Sequence, residues 1–266
     1  MKKFKVLFSI FFLALSLFVG FGNPQISEAK TTNTKAVTTA QPFIVYQDDK
    51  VIIMFKKITS RGVVFDVQNL TNINLTIQAD SIAINGISTD DIIMSDDVAP
   101  QSTGEVIVRT GNEDITGVKE INRVSGQLRV IDFNYSFRSY DATFDIPLNE
   151  TAGYFESTLL YPLLYTDEKV DIYYWATEAS GVSFLVRNKT SINITIQADS
   201  ISVNQRSYNS IIMSDNVAPR SVGVVKARCA IEADNIATAT VGGQLSVIDF
   251  KTLDSYDVTF INIPVI

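Results

Sequence analysis

The sequence predicts an all-β chain built from two tandem antiparallel β-sandwich domains, and three observations carry that expectation. First, Ile73–Pro100 (INLTIQADSIAINGISTDDIIMSDDVAP) recurs as Ile192–Pro219 (INITIQADSISVNQRSYNSIIMSDNVAP) at a constant offset of 119, with 19 of 28 positions identical. An offset of that size marks duplication of a whole domain, because a solenoid repeats every few tens of residues. Second, the apolar runs are short, rich in β-branched and aromatic residues, and separated by turn residues at the spacing of a sandwich. Third, the apolar parity inside the repeated segment slips once, at the same place in both copies.

The N-terminus reads as a secretory signal peptide over residues 1–29. Lys2, Lys3 and Lys5 precede an apolar stretch from Val6 to Val19, and Ser27-Glu28-Ala29 places small residues at a cleavage site after Ala29. The apolar run is short for a membrane span, Asn23-Pro24 interrupts it, and no Cys near the cleavage site offers a lipid anchor. The expectation is a secreted chain without stable membrane insertion after cleavage, acting outside the cell and in part at its surface. Without the three Lys and one Glu of that segment, 19 basic and 28 acidic residues remain, a net charge of −9. No Lys/Arg cluster supplies the electrostatic footprint of nucleic-acid binding.

Residues 30–41 (KTTNTKAVTTAQ) read as a flexible Thr-rich tail, 42–148 as the first sandwich, 149–161 as an apolar connector and 162–266 as the second sandwich. Each sandwich, at about 100 residues, can bury its own core. In the connector, Tyr154, Phe155, Leu159, Leu160 and Tyr161 are expected to pack between the domains or to begin the second one.

Strands are expected at 43–47, 51–58, 62–68, 75–84, 105–110, 127–133 and 140–146, then at 163–166, 170–176, 181–187, 194–203, 224–229, 244–250 and 256–261. Val63, Phe65 and Val67 alternate with Asp66 and Gln68, which assigns one face to the core. Asn85-Gly86 is a turn signal after the fourth strand, replaced by Asn204-Gln205 in the second copy. Asn112–Glu120 allows a short helical turn limited by Gly117. In the fourth strand Leu75, Ile77 and Ala79 share one parity, and Ile82 and Ile84 share the other. The second copy repeats this with Ile194, Ile196, Ala198 and then Ile201, Val203. A strand whose apolar set changes parity carries an extra residue, so a β-bulge or a crossing between sheets is predicted at Asp80-Ser81 and Asp199-Ser200. The Asp carboxylate is expected to accept backbone N–H groups freed by the bend.

These residues carry a resemblance. The order is an Asn-Leu-Thr or Asn-Lys-Thr turn, then TIQADSI, SD-x-VAP, GQL-x-VIDF and SYD-x-T-F. It resembles a group of immunoglobulin-like (telokin-like) β-sandwich modules found in secreted and membrane-tethered proteins of Gram-positive bacteria. The match spans residues 42–148 and 162–266. It implies an Ig-like fold and a cell-surface setting, and brings no catalytic residues.

The composition removes much chemistry. With no histidine, Ser-His-Asp and Cys-His sites and His-ligated zinc are excluded, and a single cysteine, Cys229, excludes thiolate clusters and an internal disulfide. Cys229 lies in an apolar-alternating stretch and reads as a buried, inert thiol. No GxGxxG, GxxxxGK[ST] or GxSxG is present. A carboxylate pair is the remaining catalytic option, and small sandwiches rarely supply the cleft it needs. The expectation is a non-enzymatic protein without cofactor.

Two candidate sites follow. Asp96 and Asp215 recur in the SD-x-VAP segments, with Asp97 beside the first. They are calcium ligands on one reading and turn-stabilising side chains on the other. In the second strand of the second copy, Val170, Ile172 and Tyr174 should face the core, leaving Asp171, Tyr173 and Trp175 outside, with Ile52, Met54 and Lys56 at the matching positions of the first copy. Tyr173 and Trp175, with Ile52 and Met54, could anchor a partner or stack on sugar, or lie buried under the first strand or the connector. The expected partner is an extracellular protein or a cell-wall component, the alternatives being a carbohydrate or, for an enzyme, a carboxylate-cleaved substrate. Asn69, Asn74, Asn149, Asn188 and Asn193 head Asn-x-Ser/Thr triplets and read as turn chemistry. Asp132 and Asp249, inside the two VIDF motifs, read as fold determinants or outward-facing strand positions.

Overall fold

Alternation of apolar and polar residues decides where each strand lies. The computed structural model describes residues 37–133, 138–148, 161–237, 239–249, 252 and 254–265. The expected signal peptide, the first part of the tail, Asn149 and nearly all of the connector lie outside them. The first repeat contributes β1 (Val37–Gln47), β2 (Val51–Thr59), β3 (Gly62–Asn69), β4 (Leu75–Ile84), β5 (Ile87–Thr89), β6 (Ile92–Ile93), β7 (Ser95–Val98), β8 (Thr103–Thr110), β9 (Arg123–Asp132) and β10 (Arg138–Pro147), with a one-turn α1 (Glu113–Thr116). The second contributes β11 (Leu163–Thr166), β12 (Val170–Glu178), β13 (Gly181–Asn188), β14 (Ile194–Val203), β15 (Arg206–Tyr208), β16 (Asp215–Val217), β17 (Ser221–Arg228), β18 (Thr240–Asp249) and β19 (Asp254–Pro264), with α2 (Ala233–Ile236).

In the first repeat the sheet β1-β2-β3-β8-β6 packs its apolar side against β10-β9-β4-β5. Val63, Phe65 and Val67 are fully buried, as their alternation predicts. The Phe65 ring meets Phe144 across the two sheets at 5.8 Å between centroids, and Phe184 meets Phe260 at 5.9 Å in the second repeat. There β11-β12-β13-β17 faces β15-β14-β18-β19. Two clusters of buried apolar residues form the cores, one from each repeat.

The predicted bulges are present: the β4–β9 register shifts between Ala79 and Ser81, and the β14–β18 register between Ala198 and Ser200. The Asp80 carboxylate is bound by side chains instead of backbone, receiving Gln127 Nε2 and Arg129 Nη2, each at 2.9 Å. The neighbouring strand β9 offers long donors at that height, and these take the place of backbone N–H groups. Asn85 and Gly86 adopt φ of 51° and 81°, and Asn204 and Gln205 adopt 51° and 67°, so the same left-handed turn forms with or without glycine. α1 forms where the helical turn was expected, with Asn112 Oδ1 accepting from Asp114 N–H at 2.9 Å.

Other elements differ from expectation. β1 begins at Val37, inside the segment read as tail, where Val37 and Thr38 pair with Ile58 and Lys57. The SD-x-V segments are short strands, β7 and β16, pairing with β4 and β14. Strands this short have too few residues to show alternation.

Asn69 and Asn188 are buried turn anchors, as their Asn-x-Thr context suggests. Asn69 Nδ2 donates to the carbonyls of Ile73, Val98 and Ala99 at 2.7, 3.0 and 3.1 Å, and its Oδ1 accepts from Thr71. Asn188 repeats the set on Ile192, Val217 and Ala218.

The repeats join through one sheet. Ile87 of β5 pairs in parallel with Val222 of β17, which makes a continuous nine-stranded sheet from β10 to β11. Around this bridge Gly86 O accepts Val222 N–H at 2.7 Å and Ser88 Oγ accepts Ala218 N–H at 3.0 Å. Asp90 Oδ2 accepts Asn216 N–H at 2.8 Å, Ser81 Oγ donates to Asn193 Oδ1 at 2.5 Å, and Ser125 Oγ donates to Pro219 O at 2.6 Å.

Candidate functional site

One four-strand row runs across the outer face of each sandwich, and its chemistry differs between the copies. In the first, Ile44, Met54, Asp66 and Glu105 lie opposite one another on β1, β2, β3 and β8. The β2–β3 register shifts between Phe55 and Lys57, so Lys56 stands out in a bulge. Its Nζ reaches Asp66 Oδ1 and Glu105 Oε2, each at 3.0 Å. The bond to Glu105, followed by that to Asp66, raises the Lys56 pKa, and Lys56 lowers that of Glu105.

In the second sandwich the row is Leu163, Tyr173, Leu185 and Val224, on β11, β12, β13 and β17. The bulge recurs between Tyr174 and Ala176, and Trp175 occupies the place of Lys56. The offset of 119 thus replaces a Lys–Asp–Glu cluster with Trp–Leu–Val. Leu163, Trp175 and Val224 are 45%, 42% and 47% exposed, while Leu185 is buried at 8%. Tyr161, described at the very end of the connector, sets its ring 6.0 Å from that of Trp175 at 31°.

Polar groups border this apolar row on both sides. On one, Asp171 is held by Lys189, by Arg187 at 3.6 Å and by Thr166 Oγ1 at 2.6 Å. On the other, Lys226 Nζ binds Glu178 at 2.7 Å. Burial and then the Asp171 charge raise the Tyr173 hydroxyl pKa, with Arg187 opposing. An apolar centre inside a polar rim is the anatomy of a protein-binding patch.

Tyr173 and Trp175 therefore share one face, Tyr173 half-buried and Trp175 open. Asp171 belongs to the buried rim. Ile52 and Met54 lie half-buried on β2, in the other sandwich and in a different sheet, so the structure does not bring them together with Tyr173 and Trp175. Leu163, Leu185 and Val224 were missed as site residues, although lining up the copies shows Asp66 and Glu105 turning into Leu185 and Val224.

The acidic candidates act as staples between strands. Asp96 Oδ2 accepts Ile107 N–H at 3.1 Å and lies 3.5 Å from Arg109, and Asp215 accepts Lys226 N–H at 2.6 Å and Arg228 Nη1 at 2.9 Å. Asp97 accepts Thr76 Oγ1 at 2.5 Å. No group of three or more His, Cys, Asp or Glu that could hold a metal ion occurs among the described residues. Cys229 is half-buried, its thiol pKa raised by burial.

A polar cleft of about 210 Å³ lies at the junction of the repeats, lined by Asp80, Gln127, Arg129, Asn193, Thr195, Ser214 and Asn216. Asp80 is the one carboxylate in that lining, and it is ion-paired to Arg129 at 2.9 Å. The cleft lacks the second acid that carboxylate-pair hydrolysis uses.

No family model matches the chain, and no curated protein does. Among solved structures, it is similar to the YadV chaperone, at 9% identity and a TM-score of 0.24 over 79% of this chain and 100% of that one. It is likewise similar to a Salmonella enterica SafA pilin–SafB chaperone complex, at 10% identity and a TM-score of 0.24 over 80% of this chain and 98% of that one. No helix among the described residues is long and apolar enough to cross a membrane.

Proposed function

We propose that this is a secreted, non-enzymatic binding protein that engages a protein ligand at or beyond the bacterial cell surface through the outer face of its second sandwich. One observation carries the reading: the same fold position is a charged cluster in the first repeat and an exposed apolar one in the second. The fold itself does not require the apolar version, since Lys56, Asp66 and Glu105 fill those positions with ion pairs. Exposed aromatic and aliphatic side chains at the centre of a rimmed patch are what a partner's apolar surface would cover. The lack of histidine and the signal-like N-terminus support a binding role outside the cell. The resemblance to bacterial Ig-like surface modules supports the same setting.

The Tyr161–Trp175 ring pair favours a second reading, a carbohydrate ligand stacked on these faces.

The test places a photoreactive residue at position 224 of the full mature chain, with position 105 as control, and exposes it to cell-wall and culture-supernatant fractions. A discrete protein adduct at 224 only, competed by the unlabelled chain but not by its Trp175→Lys/Val224→Glu variant, supports the protein reading. Binding of purified wall polysaccharide that is lost in Trp175→Ala supports the second. Equal labelling at 105 and 224, or competition by the variant, rejects the assignment of this face.

A further inference from the structure

The junction between the repeats is heterologous: one patch of the first repeat receives a different patch of the second. The receiving patch is Ser81, Ser88 and Ser125 with the β4–β5 turn, and the inserted one is Asn193 with the V-A-P segment at 217–219. A contact of this kind leaves each patch's counterpart in the other repeat unused.

Both unused counterparts are exposed. Ala218 and Pro219 are buried in the junction, while Ala99 and Pro100, in the identical V-A-P of the first repeat, are exposed. Ser81 and Ser88 are 0% and 5% exposed, while their counterparts Ser200 and Ser207 are exposed. Ser200 and Ser207 line an open groove of about 330 Å³ together with Gly242, Gln244 and Ile261. Ile261, at the groove's lip, is 73% exposed.

The polar partners of the junction are preserved between these unused patches. Ser207 Oγ stands where Ser88 Oγ takes the Ala218 N–H, and Ala99 supplies the equivalent N–H. Ser200 stands for Ser81, and Asn74 for Asn193. Gln205 O stands for Gly86 O, facing Thr103 in place of Val222. Only the Ser125 bond is lost, because Gly242 takes that place. The Asp90 contact keeps its acceptor but loses its charge. Asp90 accepts the backbone N–H of Asn216 in the junction, and Asn209 Oδ1 would accept the backbone N–H of Asp97 between molecules.

We propose that a second copy of this chain inserts its Ala99–Pro100 loop into the Ser200–Ser207 groove, repeating the internal junction head to tail and building open chains of copies. This occupant follows from continuity with the internal interface and from the retained donor–acceptor pairs.

The experiment is sedimentation velocity on the full mature chain over a concentration series, with Ser207→Arg in the groove and Pro100→Arg in the loop. Asn209→Arg and Asn74→Arg serve as a second pair, and a melting curve on each variant verifies folding. The wild type should grow past the dimer as concentration rises. Each single variant should associate at least about 10-fold more weakly, equivalent to about 1.4 kcal/mol. An equimolar mixture of a groove variant and a loop variant should stop at a one-to-one dimer, since one intact patch remains on each partner. A wild type that stays monomeric up to its solubility limit overturns the proposal. So do variants that associate like the wild type, or a mixture that forms no dimer.

Discussion

The Asp90 carboxylate accepts the backbone N–H of Asn216 at 2.8 Å, tying the first repeat to the second through a group that burial holds out of water. Burial is the largest influence on this acid. Together with the nearby Asp215 charge it overrides the Asn216 bond and lifts the Asp90 pKa from 3.8 to about 6.

A pH dependence follows. The folded pKa lies above the unfolded one, so between about pH 4 and 6 the folded chain binds more protons than the unfolded chain. The contribution of Asp90 to stability is fully present below the unfolded pKa and is lost as pH rises through about 6. The stability of the wild type relative to Asp90→Asn should therefore rise as pH falls from 7 to 4.5, measured by urea unfolding at each pH. A difference independent of pH contradicts this.

The buried Asn69 and Asn188 amides each serve three carbonyls. Truncation strands those acceptors. With the two bonds that each Oδ1 accepts from Thr71 or Thr190 also lost, Asn69→Ala and Asn188→Ala should each cost about 5 kcal/mol, at roughly 1 kcal/mol per lost bond, read from the urea midpoint at constant slope.

Gly62 and Gly181 hold φ of +139° and +142°, and an added Cβ would sit 1.9 Å from Val108 O and 2.2 Å from Ala227 O. Both contacts are backbone and cannot swing away. Gly62→Ala and Gly181→Ala should each destabilise by more than about 4 kcal/mol or prevent folding, visible as loss of the cooperative melting transition.

Much of this fold can be read from residues. The parity slip in Leu75–Ile84 gives the bulge because strand periodicity is strict, and Asn85-Gly86 gives its turn through the left-handed backbone it tolerates. The β5–β17 bridge has no such signature, since a single parallel pair imposes no alternation. The bulge at Trp175 is hidden too, because Tyr173, Tyr174 and Trp175 are all aromatic and mask the change of face. Leu185 and Val224 read as ordinary core within their own strands. Only their counterparts Asp66 and Glu105 identify that face as outward.

That comparison yields a stability prediction. Trp175→Lys with Leu185→Asp and Val224→Glu rebuilds the ion-pair cluster of the first repeat on the same backbone. The triple variant should stay within about 1 kcal/mol of the wild type by thermal and urea unfolding, since Trp175 and Val224 are partly exposed and an Asp in place of the buried Leu185 regains the ion pair that Asp66 makes with Lys56. Leu185→Asp alone, without its Lys, should cost more.

Trp175 is the chain's only tryptophan, so its fluorescence reports on this face alone. Iodide quenching of the mature chain, free and then with the protein captured at position 224, tests the central claim most directly. Strong quenching of the free chain that falls sharply in the complex is the expected result. Quenching that is weak in the free chain, or the same in both states, would contradict the account.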